Sequence, residues 1–204
     1  MGAEVKSIII VGVGGQGIIL AADILAQVLV SIEYDVKLSE IHGMSQRGGS
    51  VNTMVRFGDK VYSPIVEKGH ADYILAFEQL EALRWSDFLK SDGTIIMSDE
   101  IIKPLPVLLD KAEYPDDIEE RIRKRAVNLV TVNAGEMAKG VGNRRAANTV
   151  LLGCLAAFMP IPKDVWLGCI EGRVPAKTIE INKNAFAIGY ELVSEKYLSN
   201  KAML

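Results

Sequence analysis

Runs of β-branched and other apolar residues recur along the chain at intervals that suit buried strands. They lie at Ser7 to Val13, Val36 to Ile41, Tyr73 to Phe77, Thr94 to Met97 and Val127 to Val132. Several are continuous rather than alternating, which predicts strands covered on both faces. Helical periods separate most of them. Gly17 to Ile32 is apolar around most of its circumference, with Asp23 and Gln27 on a narrow polar stripe, so it predicts a helix packed on more than one side. Leu80 to Leu89 reads as a shorter amphipathic helix, and Ala146 to Phe158 as an almost wholly apolar one that stops at Pro160. A last helix places Ile181, Ala185, Ile188 and Leu192 on one face, with Asn182 as its expected cap. This alternation predicts an α/β fold: a mostly parallel sheet flanked by helices, Rossmann-like, over residues 1–204 as one domain.

One connection departs from that plan. After the second strand the chain runs through a polar, glycine-rich stretch into Val51, Thr53, Val55 and Phe57, which alternate with Asn52, Met54 and Arg56. A turn at Gly58-Asp59 and the run Val61 to Ile65 follow. The pattern predicts a β-hairpin inserted after strand two, at the sheet edge or as a flap, where a dinucleotide fold would place a crossover helix. Further on, Asp116 to Arg125 alternates acid and base at helical spacing, which predicts a solvated helix carrying i,i+4 pairs.

Composition narrows the function. The net charge of −3 and the interspersed Lys, Arg, Asp and Glu offer no basic stripe for nucleic acid. No segment reads as a signal peptide or a membrane span, so a cytoplasmic protein with no membrane partner is expected. Cys154 and Cys169 lie in apolar surroundings and are expected to be buried, and two Cys and two His are too few soft ligands for an iron–sulfur cluster or a self-contained zinc site.

Candidate chemistry concentrates in two loops. Gly12-Val13-Gly14-Gly15-Gln16-Gly17 leaves the first strand and opens the first helix, where backbone N–H groups and the helix dipole favour an anion. Its Gly-x-Gly-x-x-Gly spacing also fits a dinucleotide fingerprint, or simply tight packing. The second loop leaves strand two and holds Glu40, His42, Gly43, Ser45, Gln46, Arg47, Gly48 and Gly49. Both loops leave carboxyl ends of strands and so are expected to face one crevice, with Arg47 as the anion contact. Glu40 stands somewhat later than the acid that holds the ribose of NAD in a dinucleotide fold, and Glu40 and His42 are the candidates for acid–base work. Glu78 is expected to serve the dipole of the helix it precedes, and Asp99 and Glu100 to be turn residues. Asn148 is expected to be satisfied locally or across a subunit contact. No Ser-His-Asp set, activated cysteine or separated carboxylate pair can be assembled.

The glycine turn, Glu40-Ile41-His42-Gly43-Met44-Ser45-Gln46-Arg47-Gly48-Gly49-Ser50-Val51, Ala147-Asn148-Thr149-Val150-Leu151-Leu152-Gly153 and Asn184-Ala185-Phe186-Ala187-Ile188-Gly189-Tyr190 together carry a resemblance that spans nearly the whole chain. The second segment is the specific one. On these residues the chain resembles the γ-type subunit of the 2-oxoacid:ferredoxin oxidoreductases, within them the indolepyruvate type. The resemblance implies a hetero-oligomer that converts a 2-oxoacid, here an aryl pyruvate, to an acyl-CoA and passes electrons to ferredoxin. It implies that this chain binds no cofactor alone, that thiamine diphosphate and iron–sulfur clusters sit on a larger partner subunit, and that coenzyme A is the cosubstrate. Contacts with a second copy of the chain are also allowed for. A free-standing NAD(P)-binding oxidoreductase and a non-catalytic interaction module are the alternatives.

Overall fold

The computed structural model describes residues 4–42, 49–126 and 128–198. Six strands, β1 (Lys6–Val13), β2 (Asp35–His42), β3 (Ser50–Gly58), β4 (Ala71–Ala76), β5 (Leu89–Ser98) and β6 (Asn128–Val132), form one sheet in the order β2-β3-β1-β4-β5-β6. The pairs β1–β4, β4–β5 and β5–β6 are parallel, whereas β3 is antiparallel to both of its neighbours. The mostly parallel α/β architecture expected from the pattern is present.

Among the described residues eight α-helices accompany the sheet: α1 (Ile18–Ser31), α2 (Gln79–Trp85), α3 (Leu105–Leu108), α4 (Ile118–Arg123), α5 (Ala134–Gly140), α6 (Ala147–Ala156), α7 (Lys163–Arg173) and α8 (Ile179–Val193). The sheet separates two cores. On one face Ile8, Ile10, Val55, Leu75 and Ile96 meet α1, α5, α6, α7 and α8; on the other Ile9, Val11, Met54, Ile74 and Ile95 meet α2 and α4. A strand packed on both faces has no solvent side to give to polar residues, which is why Ile8, Ile9, Ile10 and Val11 run without interruption and are all fully buried. Each such side chain contributes about 1.5–3 kcal/mol through burial. By contrast β2, the outer strand, carries Asp35, Lys37 and Glu40, charges that suit a sheet edge.

The hairpin is present with different strands from those expected. It consists of β2 and β3, paired from Asp35↔Gly58 to His42↔Val51, and residues 61–65 form no strand. Both edges of β3 are already occupied, by β1 and β2, so no ladder remains for the following segment. Pro64 also lacks the donor a ladder needs. Side chains anchor the segment instead: Arg56 donates to the carbonyls of Ser63 (3.0 Å) and Ile65 (3.2 Å), and Val61 N–H donates to Asp35 (2.9 Å).

Three smaller corrections have local causes. Asn182 does not cap α8, which begins at Ile179; it lies one turn inside, donating to the carbonyl of Thr178 (2.8 Å) and accepting from the Thr149 hydroxyl (2.8 Å). Cys154 is buried, which pushes its thiol up to about 12, but Cys169 is only partly covered, beside Ser31. The acid–base run forms α4 with the expected pairs Asp117–Arg121, Glu119–Arg123 and Glu120–Lys124, yet Ile118 and Ile122 on its inner face are core residues. Helices α5 and α7 had no counterpart in the sequence pattern.

Candidate functional site

Strand β1 delivers the glycine turn to the carboxyl edge of the sheet. There Gln16 folds its side chain back: its carbonyl accepts from Val13 N–H (2.7 Å) and its amide donates to the Phe77 carbonyl (2.8 Å). Gln16 therefore ties the turn to the end of β4. Gly17 ends the turn with φ +83°, and a Cβ there would stand 2.6 Å from the Asn148 amide nitrogen. That amide, 5% exposed on the first turn of α6, donates to the Gly17 carbonyl at 3.4 Å, so Asn148 is satisfied within the chain. Substituting Gly17→Ala adds a left-handed backbone cost of about 1–2 kcal/mol and the clash with Asn148. Urea unfolding should show about 2 kcal/mol lost, and the double variant with Asn148→Ala should relieve only the steric part.

The second loop meets the first at its end. Gly14 N–H donates to the Gly49 carbonyl at 2.9 Å, and Ser50 donates to the buried carboxylate of Glu81 at 2.6 Å. Glu81 lies on α2 and also receives Arg84. Thus Gly12, Gly14, Gly15, Gln16, Gly17 and Gly49 stand together at one edge of the sheet. Gly43, Ser45, Gln46, Arg47 and Gly48 lie outside the described residues.

Glu40 and His42 stand on β2, the far side of β3 from the turn. Strand β2 runs in the same direction as β1, as a dinucleotide fold requires, but β3 separates them. Two strand spacings, about 10 Å, therefore part β2 from β1. Glu40 is exposed, opposite Thr53 and level with Ile10, below the turn rather than beside it. This removes the adjacency by which an acid at the end of strand two would hold a ribose. His42 is the last residue of β2.

Glu78 does what its position after β4 suggests, and more. Only 1% exposed, it accepts from Glu81 N–H (2.9 Å) as the cap of α2, from Ile102 N–H (3.2 Å) and from the Tyr114 hydroxyl (2.6 Å). Burial and this carboxylate hold the Tyr114 phenol well above its ordinary range. Glu100 pairs with Arg144 at 3.0 Å, while burial and Glu100 raise the carboxyl of Asp99. Among the described residues no group of three His, Cys, Asp or Glu could hold a metal ion, and no helix is long and apolar enough to cross a membrane.

A mostly parallel sheet with a glycine turn at its carboxyl edge, and an antiparallel strand wedged between β1 and β2, is the frame of an α/β protein of Rossmann-like class. The chain belongs to the pyruvate ferredoxin/flavodoxin oxidoreductase family, whose pattern matches residues 7–192. It is similar to indolepyruvate oxidoreductase subunit IorB of Pyrococcus horikoshii, 39% identical over 195 residues, and to that of Thermococcus kodakarensis, 38% identical over 194; each match covers 93% of this chain and 96% of the relative. Among solved structures, the gamma subunit of a keto/oxoacid ferredoxin oxidoreductase from Geobacter sulfurreducens superposes with a TM-score of 0.68 at 26% identity, over 91% of this chain and 96% of that one. The 2-oxoglutarate:ferredoxin oxidoreductase of Magnetococcus marinus, solved with 2-oxoglutarate, coenzyme A and succinyl-CoA bound, shares the fold: TM-score 0.70, 20% identity, 93% of this chain and 31% of that one.

Proposed function

We propose that this chain is the γ-type subunit of an indolepyruvate-type 2-oxoacid:ferredoxin oxidoreductase, and that its two loops form one wall of an active site completed by a larger partner. The observation that carries this is the Gly14–Gly49 hydrogen bond, which joins the glycine turn to the end of the second loop in a chain 39% identical to an IorB subunit. In this scheme the partner holds thiamine diphosphate and iron–sulfur clusters, which supply decarboxylation and electron transfer. The cysteines here do not fit a cluster: Cys154 is buried on α6 and Cys169 lies on α7, and a cluster takes four thiolates.

The chain's own contribution is to bind and orient. Backbone at the N-terminus of α1 favours an anion, and Arg47 in the adjoining loop supplies a planar cation, so the pair suits the phosphates of coenzyme A. A partner also accounts for the exposed apolar residues Ile101, Leu105, Leu108 and Leu109, a patch of the kind that subunit contacts cover. The interposed strand β3 weighs against a free-standing NAD(P) enzyme, because it removes the acid from beside the turn.

The test is reconstitution. The isolated chain should show no 2-oxoacid-dependent viologen reduction, and co-expression with the large subunit should restore it. Partial turnover without this chain would make it an interaction module, and turnover by this chain alone would refute the assignment. In the complex, Arg47→Ala should raise KM for coenzyme A by about tenfold, the effect of losing one charge-assisted hydrogen bond.

A further inference from the structure

We propose that the opposite edge of the sheet carries a second binding site, a cleft between Lys6 and four aromatic rings that takes a small aromatic carboxylate. Lys6 opens β1 and Val13 closes it at the glycine turn, seven steps or about 23 Å away. The cleft is therefore separate from the crevice proposed for coenzyme A. Alternation along β1 puts Lys6 on the face of Ile8 and Ile10, at the rim of the larger core. Its neighbours there are aromatic. Phe57 is its partner on β3, and Tyr73, partner of Ile8, stands on the same face of β4. Tyr34 meets Phe57 at 5.5 Å between ring centroids, and Phe158, just past α6, meets Tyr73 at 6.1 Å. The cleft these residues line holds about 70 Å³ and is partly open to solvent. That is about half of the ~150 Å³ that encloses a benzene ring, so a single ring enters part way and leaves its substituent at the mouth.

Two polar groups select that substituent. The acids next to Tyr34 and Tyr73 in sequence are committed: Asp35 holds Lys37 at 2.6 Å, and Asp72 holds Lys90 and the Ser7 N–H, each at 2.7 Å. The Lys6 ammonium has no ion-pair partner among the described residues. The Tyr73 hydroxyl reaches the Phe158 carbonyl only at 3.4 Å, well beyond the about 2.8 Å usual for such a bond, so its proton is poorly used. Burial raises the Tyr73 phenol, which keeps that proton in place. A cation without a partner and an underused hydroxyl donor, set among aromatic walls, suit a ring that carries an acceptor-only anion. A carboxylate meets that description, and an aromatic cation is repelled by Lys6.

The experiment is an NMR titration of the full chain with phenylacetate, which has one ring and one carboxylate, read on the tyrosine ring signals. Phenylacetate should bind with a Kd of about 1 mM, in the range open to a ligand of about ten non-hydrogen atoms. Benzylamine, the same ring bearing a cation, should bind about tenfold more weakly or not at all. Lys6→Met keeps the stem and removes the charge; it should raise Kd about fivefold, a modest loss because the ammonium is exposed. Lys6→Arg should stay within about twofold of wild type, and Tyr34→Leu should weaken binding about threefold through the lost ring contact. No saturable shift, equal binding of benzylamine, or an unchanged Kd in either Lys6→Met or Tyr34→Leu overturns the site. Binding that disappears once the chain is assembled with its large subunit would make the cleft a subunit contact and overturn it as well. None of these outcomes bears on KM for coenzyme A in Arg47→Ala, so the two readings fail separately.

Discussion

Replacing Gly153 with alanine should remove a large part of this protein's stability. Gly153 on α6 faces the backbone of α8: a Cβ there would overlap the carbonyl of Phe186, far inside van der Waals contact. The arrangement is reciprocal, since a Cβ on Gly189 of α8 would overlap the carbonyl of Val150. Neither obstacle can rotate away, because both are main-chain atoms of helices locked by Leu152, Leu155, Ala185 and Phe186 in the core. Relief requires the two helices to separate, which opens the packing around the Trp166–Phe186 stack at 5.8 Å. We expect Gly153→Ala to cost about 3 kcal/mol or more, at or beyond the usual limit for overpacking. Chemical denaturation of the purified variant checks this; a loss below 1 kcal/mol would mean that α6 and α8 are not held at this separation. Gly189→Ala should behave alike, and the double variant should cost less than the sum, since one displacement relieves both contacts.

Replacing Glu78 with alanine should have the next largest effect. Three donors converge on this buried carboxylate, from α2, from Ile102 and from Tyr114, and alanine leaves all three without their acceptor. Each orphaned buried donor costs about 1–3 kcal/mol, and the lost cap about 1 kcal/mol. Partial access of water to Tyr114 reduces the sum, so about 3 kcal/mol is expected from urea unfolding. The effect should reach the candidate site, because α2 also carries Glu81, which holds Ser50 at the end of the second loop. In the complex, Glu78→Ala should therefore raise KM for coenzyme A as well as lower stability, whereas Gly153→Ala should act on stability alone.

Local pattern was sufficient for much of this fold. Strand β1, the glycine turn and α1 stand where continuous hydrophobicity, glycine spacing and a 3.6-residue period put them, since each depends on residues close in sequence. The acid–base run became α4 for the same reason. Pattern failed where two solutions shared one local signal. The alternation from Val51 to Phe57 requires a strand but does not say which strands flank it, and the competition between β2 and residues 61–65 is settled by the register of the whole sheet.

Within the candidate site, the glycine turn between β1 and α1 was legible because glycine spacing after a buried strand is a local property. Its partners, and those of the second loop, were not. Asn148 stood out as an amide on an apolar helix, yet its bond to Gly17 spans 131 positions, and Ser50 reaches Glu81 across 31. Nothing in the alternation of polar and apolar residues distinguishes Arg144 from Arg145, which differ only in which one meets Glu100.

Residue order alone settled the class of fold and the position of the glycine turn at the end of its first strand. These follow from composition and from periodicities of two and 3.6 residues. The strand between β1 and β2, the distance it opens between Glu40 and the turn, and the Asn148 clamp on Gly17 belong to the folded chain. They depend on contacts between segments far apart in sequence, which exist only once the sheet has closed its order and the helices have packed upon it.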